Sequence, residues 1–190
     1  MRYIIGFFVT IGLLILLIIL LVGGGNGKGN GKVPATSKAL KDYANTDATV
    51  RMTVSGPIIA NQEHKETQVT VGRDSTTYES ITGYNDQVTD QQTYGNTQQS
   101  YASFLRALDK AGYTKGNSDQ TLADERGYCA LGNRYIFDLI QDGKTIQRFW
   151  ASDCSGTPKT YLGNLGLTRS LFQRQIPKFL DIVDHDNGVY

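Results

Sequence analysis

Cys129 and Cys154 are the only cysteines of this 190-residue chain, and His64 and His185 its only histidines. A catalytic thiol needs a base within reach. His64 falls in a polar turn, NQEHKE (61–66), and His185 in the tail DHDNGVY (184–190), and neither stands in a recognisable catalytic motif. A metal site wants four ligands, usually in close pairs. Two cysteines 25 positions apart without a neighbouring histidine fit that poorly, so no metal and no cofactor is expected. The run Asp184-His185-Asp186-Asn187-Gly188 has calcium-loop composition, but its third ligand position would fall on Gly188. No G-x-S-x-G element is present. The simplest chemistry for the two thiols is a mutual disulfide, with buried free thiols or a reactive pair as the alternatives.

Charge narrows the partners. Lys plus Arg number 19 and Asp plus Glu 18, so the chain lacks the basic footprint of a nucleic-acid binder. Eleven tyrosines offer another kind of contact, because a phenol combines apolar area with a polar tip. Tyr78 and Tyr84 share parity on one expected strand and Tyr94 lies just beyond it. These three form a candidate recognition patch, against the plainer reading of ordinary sheet packing.

The elements that would carry these residues follow from periodicity. Residues 48–60 alternate Val50, Met52 and Val54 with Arg51, Thr53 and Ser55, as a half-buried strand does. Residues 67–72 return and 76–84 form a third, β-branched strand, giving an antiparallel meander with connections too short for crossovers. Residues 85–95 either extend that strand or form a loop. Helix 97–111 carries Tyr101, Phe104, Leu105 and Leu108 on one face, with Asn96 as its cap and Gly112 as its stop. A short helix is expected over 36–44. Another is expected after Thr168 or Ser170, broken at Pro177, with a further turn around Phe179 and Val183.

FDLIQDGKTIQRFW (137–150) reads as a hairpin turning at Asp142-Gly143. A two-residue turn sets Gln141 against Lys144, Leu139 against Ile146, Phe137 against Arg148 and Tyr135 against Trp150, which gathers most large apolar groups on one side. Cys129 and Cys154 then become diagonal neighbours. That spacing is slightly long for a disulfide, and a bulge near Gly132 would close it. The expected fold is α+β: about five antiparallel strands, a three-strand meander plus a hairpin, covered by two or three helices.

Ahead of this domain, residues 3–22 (YIIGFFVTIGLLILLIILLV) carry no charge. Twenty helical residues span roughly 30 Å, the thickness of a bilayer core. The segment reads as a single transmembrane helix, with a cleaved signal peptide as the rival. GGGNGKGNGK opens a flexible linker over 23–35. It is not a phosphate loop, since neither Gly-Lys pair is followed by Ser or Thr. The domain proper is 36–190. Lys28, Lys32, Lys38 and Lys41 after the anchor favour an inside domain, but long domains translocate largely regardless of charge, and a disulfide belongs outside. The expectation is a single-pass protein with its N-terminus cytoplasmic, residues 3–22 in the bilayer and the domain outside the cell.

VRMTVSGPIIANQEHKETQVTVG (50–72), RYIFDLIQDGKTIQRFWASDC (134–154) and SLFQRQIP (170–177) resemble an uncharacterised family of small membrane-anchored hypothetical proteins from candidate-phylum bacteria with reduced genomes. The resemblance spans about 50–177. It implies an anchored domain facing the outside of a bacterial cell and brings no activity, ligand or catalytic residue with it. Together these readings point to a non-enzymatic module that binds an envelope protein or ligand. A structural envelope component is the alternative and an enzyme the third reading.

Overall fold

A computed structural model describes residues 38–186, with side chains through 183. The expected membrane span (3–22) and linker (23–35) lie outside the described residues. Among the described residues no helix is long and apolar enough to cross a membrane.

Six strands form in chain order: β1 (Thr49–Ser55), β2 (Lys65–Val71), β3 (Ser75–Thr82), β4 (Gln87–Gly95), β5 (Arg134–Gln141) and β6 (Lys144–Ser152). Three α-helices accompany them: α1 (Gln98–Ala111), α2 (Leu165–Gln173) and α3 (Phe179–Asp186). The fold is α+β. The strands make one antiparallel sheet in the order β4-β3-β2-β1-β5-β6, so β1 ties the meander to the hairpin. The sixth strand comes from 85–95, which pairs with β3 along its whole length. Its polar composition hid it: as an edge strand it leaves most of its side chains in solvent, and backbone pairing rather than burial holds it.

The alternation read from the sequence builds the inner face. Val50, Met52 and Val54 of β1, Val69 and Val71 of β2, Tyr78 of β3, and Tyr135, Phe137 and Leu139 of β5 are all buried there. Onto them α1 lays Tyr101, Phe104, Leu105 and Leu108, while Phe172 of α2 and Val183 of α3 complete the layer. Phe137 stands among the rings of Tyr161, Tyr113 and Phe172, with centroids 4.6, 5.9 and 6.5 Å away. Each such ring contributes on the order of 1.5–3 kcal/mol through burial, and the edge-on pairs add to it.

Several boundaries moved, each for a local reason. Thr97, not Asn96, caps α1: its hydroxyl accepts from the Ser100 N–H. Asn96 is drawn instead to the sheet, where its amide donates to the Gly72 carbonyl at 2.7 Å. Gly112 ends α1 as expected, in the left-handed conformation at φ 81°. Helix α2 begins earlier than Thr168, because Asn164 caps it by accepting from the Leu167 N–H. Thr168 faces inward and meets the Tyr161 hydroxyl at 2.6 Å. The segment expected as a helix over 36–44 is a short 3-10 turn, Leu40–Asn45, burying Leu40, Tyr43 and Ala44.

The hairpin holds the largest correction. Gln141 faces Lys144 and Ile140 faces Thr145, as a two-residue turn requires, but the register then slips by one. Leu139 faces Gln147, Asp138 faces Arg148, Phe137 faces Phe149 and Ile136 faces Trp150. The bulge therefore sits beside the turn and not near Gly132. The expected register rested on having one buried face. In the fold Trp150 is buried on the opposite face, where Tyr128 stacks on it at 5.3 Å and the Leu122 carbonyl accepts its indole N–H at 2.6 Å.

Candidate functional site

Cys129 and Cys154 are joined, with their Cα atoms 5.6 Å apart. The bond does not run between strands. Cys129 precedes β5 in a left-handed turn at φ 52°, closed by the Gly132 N–H on the Cys129 carbonyl. Gly132 is packed against the bridge so tightly that a Cβ there would lie 2.7 Å from the Cys129 sulfur and 2.3 Å from an Asp153 oxygen. The carboxylate of Asp153 is close to both sulfurs, but bonded sulfurs are not metal ligands. It accepts the Asn133 N–H instead.

The three tyrosines do not form a patch. Tyr78 is fully buried in the inner face. Tyr94 packs partly against the same core, with its hydroxyl donating to Gln92. Tyr84 is exposed, stacks on His64 with centroids 4.2 Å apart, and donates to the Ile59 carbonyl. Histidine 64 is buried, and both ring nitrogens face acceptors: Nδ1 lies 2.9 Å from the Pro57 carbonyl and Nε2 3.2 Å from Glu66 Oε1. Both contacts are hydrogen bonds only when the ring carries both protons. The side chain of His185 lies outside the described residues.

The arrangement that could bind lies on the opposite face of the sheet, which carries no α-helix among the described residues. The same alternation that sends Met52 and Phe137 inward sends Arg51, Thr53, Glu66, Gln68, Ile136 and Asp138 outward. The bulge adds Arg148. In an unbroken hairpin it would face Phe137 in the core, but the slip of one residue turns it outward, opposite Asp138. These residues, with Thr145 and Glu125, line a cleft of about 230 Å³. Arg51 donates to Asp138 Oδ2 through Nη2 at 2.8 Å and Nε at 3.3 Å. Arg148 Nη2 donates to Glu125 Oε1 at 2.9 Å. Glu125 arrives from a 3-10 turn, Glu125–Gly127, whose cap Asp124 accepts from the Arg126 N–H. The Arg126 guanidinium holds the Asp124 carboxyl down at about 2.

From beneath, Tyr113 pins the rung on which the first pair sits. Its hydroxyl lies 2.7 Å from the Asp138 carbonyl and 3.2 Å from that of Arg51, and burial pushes its pKa well up. It therefore stays a neutral donor at any ordinary pH. Two features of this face stand out energetically. Asp138 Oδ1 is buried and makes no hydrogen bond among the described residues. Arg134, 2% exposed, gives Nη2 to Ser55 Oγ and the Gly56 carbonyl, while Nε and Nη1 have no partner among the described residues. Buried polar atoms without partners are rare in folded chains and cluster where something else binds or where strain is stored.

Sequence reasoning did not find Arg51, Asp138, Glu125 and Arg148. The signal available was charge at the outward positions of otherwise apolar strands. Pairing Arg51 with a residue 87 positions away needs the sheet order, and aiming Arg148 needs the bulge. No protein-family model matches this chain, and a search of curated proteins finds no match.

Proposed function

We propose that the chain is a membrane-anchored, extracytoplasmic binding module of the cell envelope, non-enzymatic, with its N-terminus in the cytoplasm. The observation that carries the binding reading is the polar cleft over Arg51, Asp138, Glu125 and Arg148, on the face of the sheet that the α-helices leave open. Ion pairs set on strands give a rigid, preorganised surface, and the bulge that aims Arg148 is a feature common beside sites. Support for the outside location comes from the uncharged run 3–22 and from the disulfide, which persists in oxidising compartments and is rare in the cytoplasm. The resemblance to small anchored proteins of candidate-phylum bacteria agrees with that placement.

The test is photo-crosslinking of the full chain in its own cells, with the reactive group at Thr145 on the cleft rim and, as control, at Leu180 on α3. A specific adduct from position 145 that disappears in Arg148→Ala supports the module. Identical adducts from both positions defeat it. The location is tested by alkylating intact cells and weighing the unfolded, unreduced protein, where two alkylated thiols would remove the argument for the outside. A structural envelope role is the second reading, favoured by β4, whose outer edge pairs with no strand among the described residues and is suited to strand addition. Crosslinks concentrated along β4 would support it.

A further inference from the structure

We infer that the cleft takes a neutral polyhydroxylated ligand, a single sugar ring either free or at the end of a glycan. This rests on the binding reading above and adds the chemistry of the ligand. Three carboxylates line the cleft, and each has spent one oxygen: Glu66 Oε1 on His64, Asp138 Oδ2 on Arg51 and Glu125 Oε1 on Arg148. The two lining arginines stand between three carboxylates, so positive and negative groups interleave around the wall and no single sign of charge fills it. What it offers is a remaining acceptor beside a remaining donor, repeated around the wall. Asp138 Oδ1, Glu66 Oε2 and Glu125 Oε2 have no partner among the described residues, and each arginine keeps N–H groups beyond those in its ion pair.

A hydroxyl group donates once and accepts twice, so adjacent hydroxyls on a ring meet a carboxylate and a guanidinium together. A lone ammonium would leave the arginines unanswered, and a lone anion would face the carboxylates. The floor suits a ring as well: Thr53 and Ile136 are buried side by side at its base, an apolar surface for C–H groups with one hydroxyl beside it. At about 230 Å³ the cleft lies below the range of pockets for drug-sized ligands, a size that suits one ring. Asp138 supplies the strongest demand. Its side chain is 5% exposed, and a buried carboxylate oxygen without a donor is costly. Reaching it requires a neighbouring side chain to shift, and Arg51, with 31% of its side chain exposed, has room to do so.

The chain's single tryptophan reports on the site. Trp150 faces Ile136 across the hairpin and stacks on Tyr128 beside Glu125. The experiment titrates the full-length protein, following tryptophan fluorescence, with glucose, galactose, mannose and N-acetylglucosamine. Short oligosaccharides of the same sugars follow, then glycine, putrescine and inorganic phosphate. The expected result is a saturable change with at least one sugar, weakened tenfold or more in Arg148→Ala and in Glu66→Gln. Both variants must keep the disulfide and an unfolding transition like that of the parent. Tighter binding of oligosaccharides than of the free ring would identify a glycan end as the source. Saturation by glycine, putrescine or phosphate and by no sugar overturns the ligand class while leaving a binding module. No saturation by any sugar, with crosslinks still formed at position 145, does the same. No saturation and no crosslink removes both.

Discussion

The two faces of one sheet differ in what holds them. Along β1 and β5, neighbouring residues point to opposite sides: Met52 and Phe137 into an apolar layer covered by helices, Arg51 and Asp138 into a cleft of charges. The inner face is held by area removed from water and by close packing of its side chains. The outer face depends on pairs, and each pair depends on register. A one-residue bulge in β6 resets both faces: it puts Phe149 opposite Phe137 in the inner layer, sends Trp150 to the other side, and decides whether Arg148 reaches Asp138's side of the sheet at all.

That contrast can be broken by substitution. The largest effect is expected from Phe137→Ala, which should cost about 3–5 kcal/mol in chemical denaturation, as removal of a central ring does. A loss below about 1 kcal/mol would mean the inner face is not the main source of stability. Arg51→Ala should come next, at about 1–3 kcal/mol, because it strands a nearly buried carboxylate. Smaller still is Arg148→Ala. Both Arg148 and its partner Glu125 reach solvent, with side chains 41% and 11% exposed, so the loss should stay under about 1 kcal/mol after screening. If the two arginine variants were equally destabilised, the distinction between structural and ligand-facing pairs would fall.

The smallest effect sharpens the comparison by pH. Arg126 lowers the Asp124 carboxyl to about 2. A depressed folded pKa contributes stability above the ordinary carboxylate value near 4 and loses it as pH falls towards about 2. Both groups are exposed and the pair is local in sequence, so the contribution is minor. A carbon-detected NMR titration should place the Asp124 midpoint near pH 2, and a midpoint near 4 would show that the pair does not form in solution.

The inner face was legible because burial writes period two into strands and i, i+3, i+4 into α1. Val50, Met52, Val54 and the Tyr101–Leu108 stripe all stand where alternation put them. Edge strand β4 was half legible, since an edge needs no apolar pattern. The hairpin register failed because a single buried face was assumed. Trp150 and Ile136 are buried on the other side by the segment that carries Leu122 and Tyr128, and no local pattern announces that cover. The cysteine pair was legible from composition, while its geometry came from a turn at Cys129 and not from strands. The charged pairs of the cleft join residues from four different parts of the chain, and sequence spacing is silent on such meetings.

The position of β1 has a consequence in time. The first strand to be synthesised lies in the middle of the sheet, between β2 and β5. Its partners in the meander follow within a few residues, so that half can pair as soon as it emerges. The other edge of β1 must wait for β5, and Arg51 for a residue 87 positions later. Until then β1 presents an open row of backbone donors and acceptors and an apolar flank. Such late, non-local closure slows folding and lengthens exposure to wrong partners. Newly made chains of this protein should therefore be most vulnerable to aggregation and to proteases after the meander has formed and before the hairpin arrives.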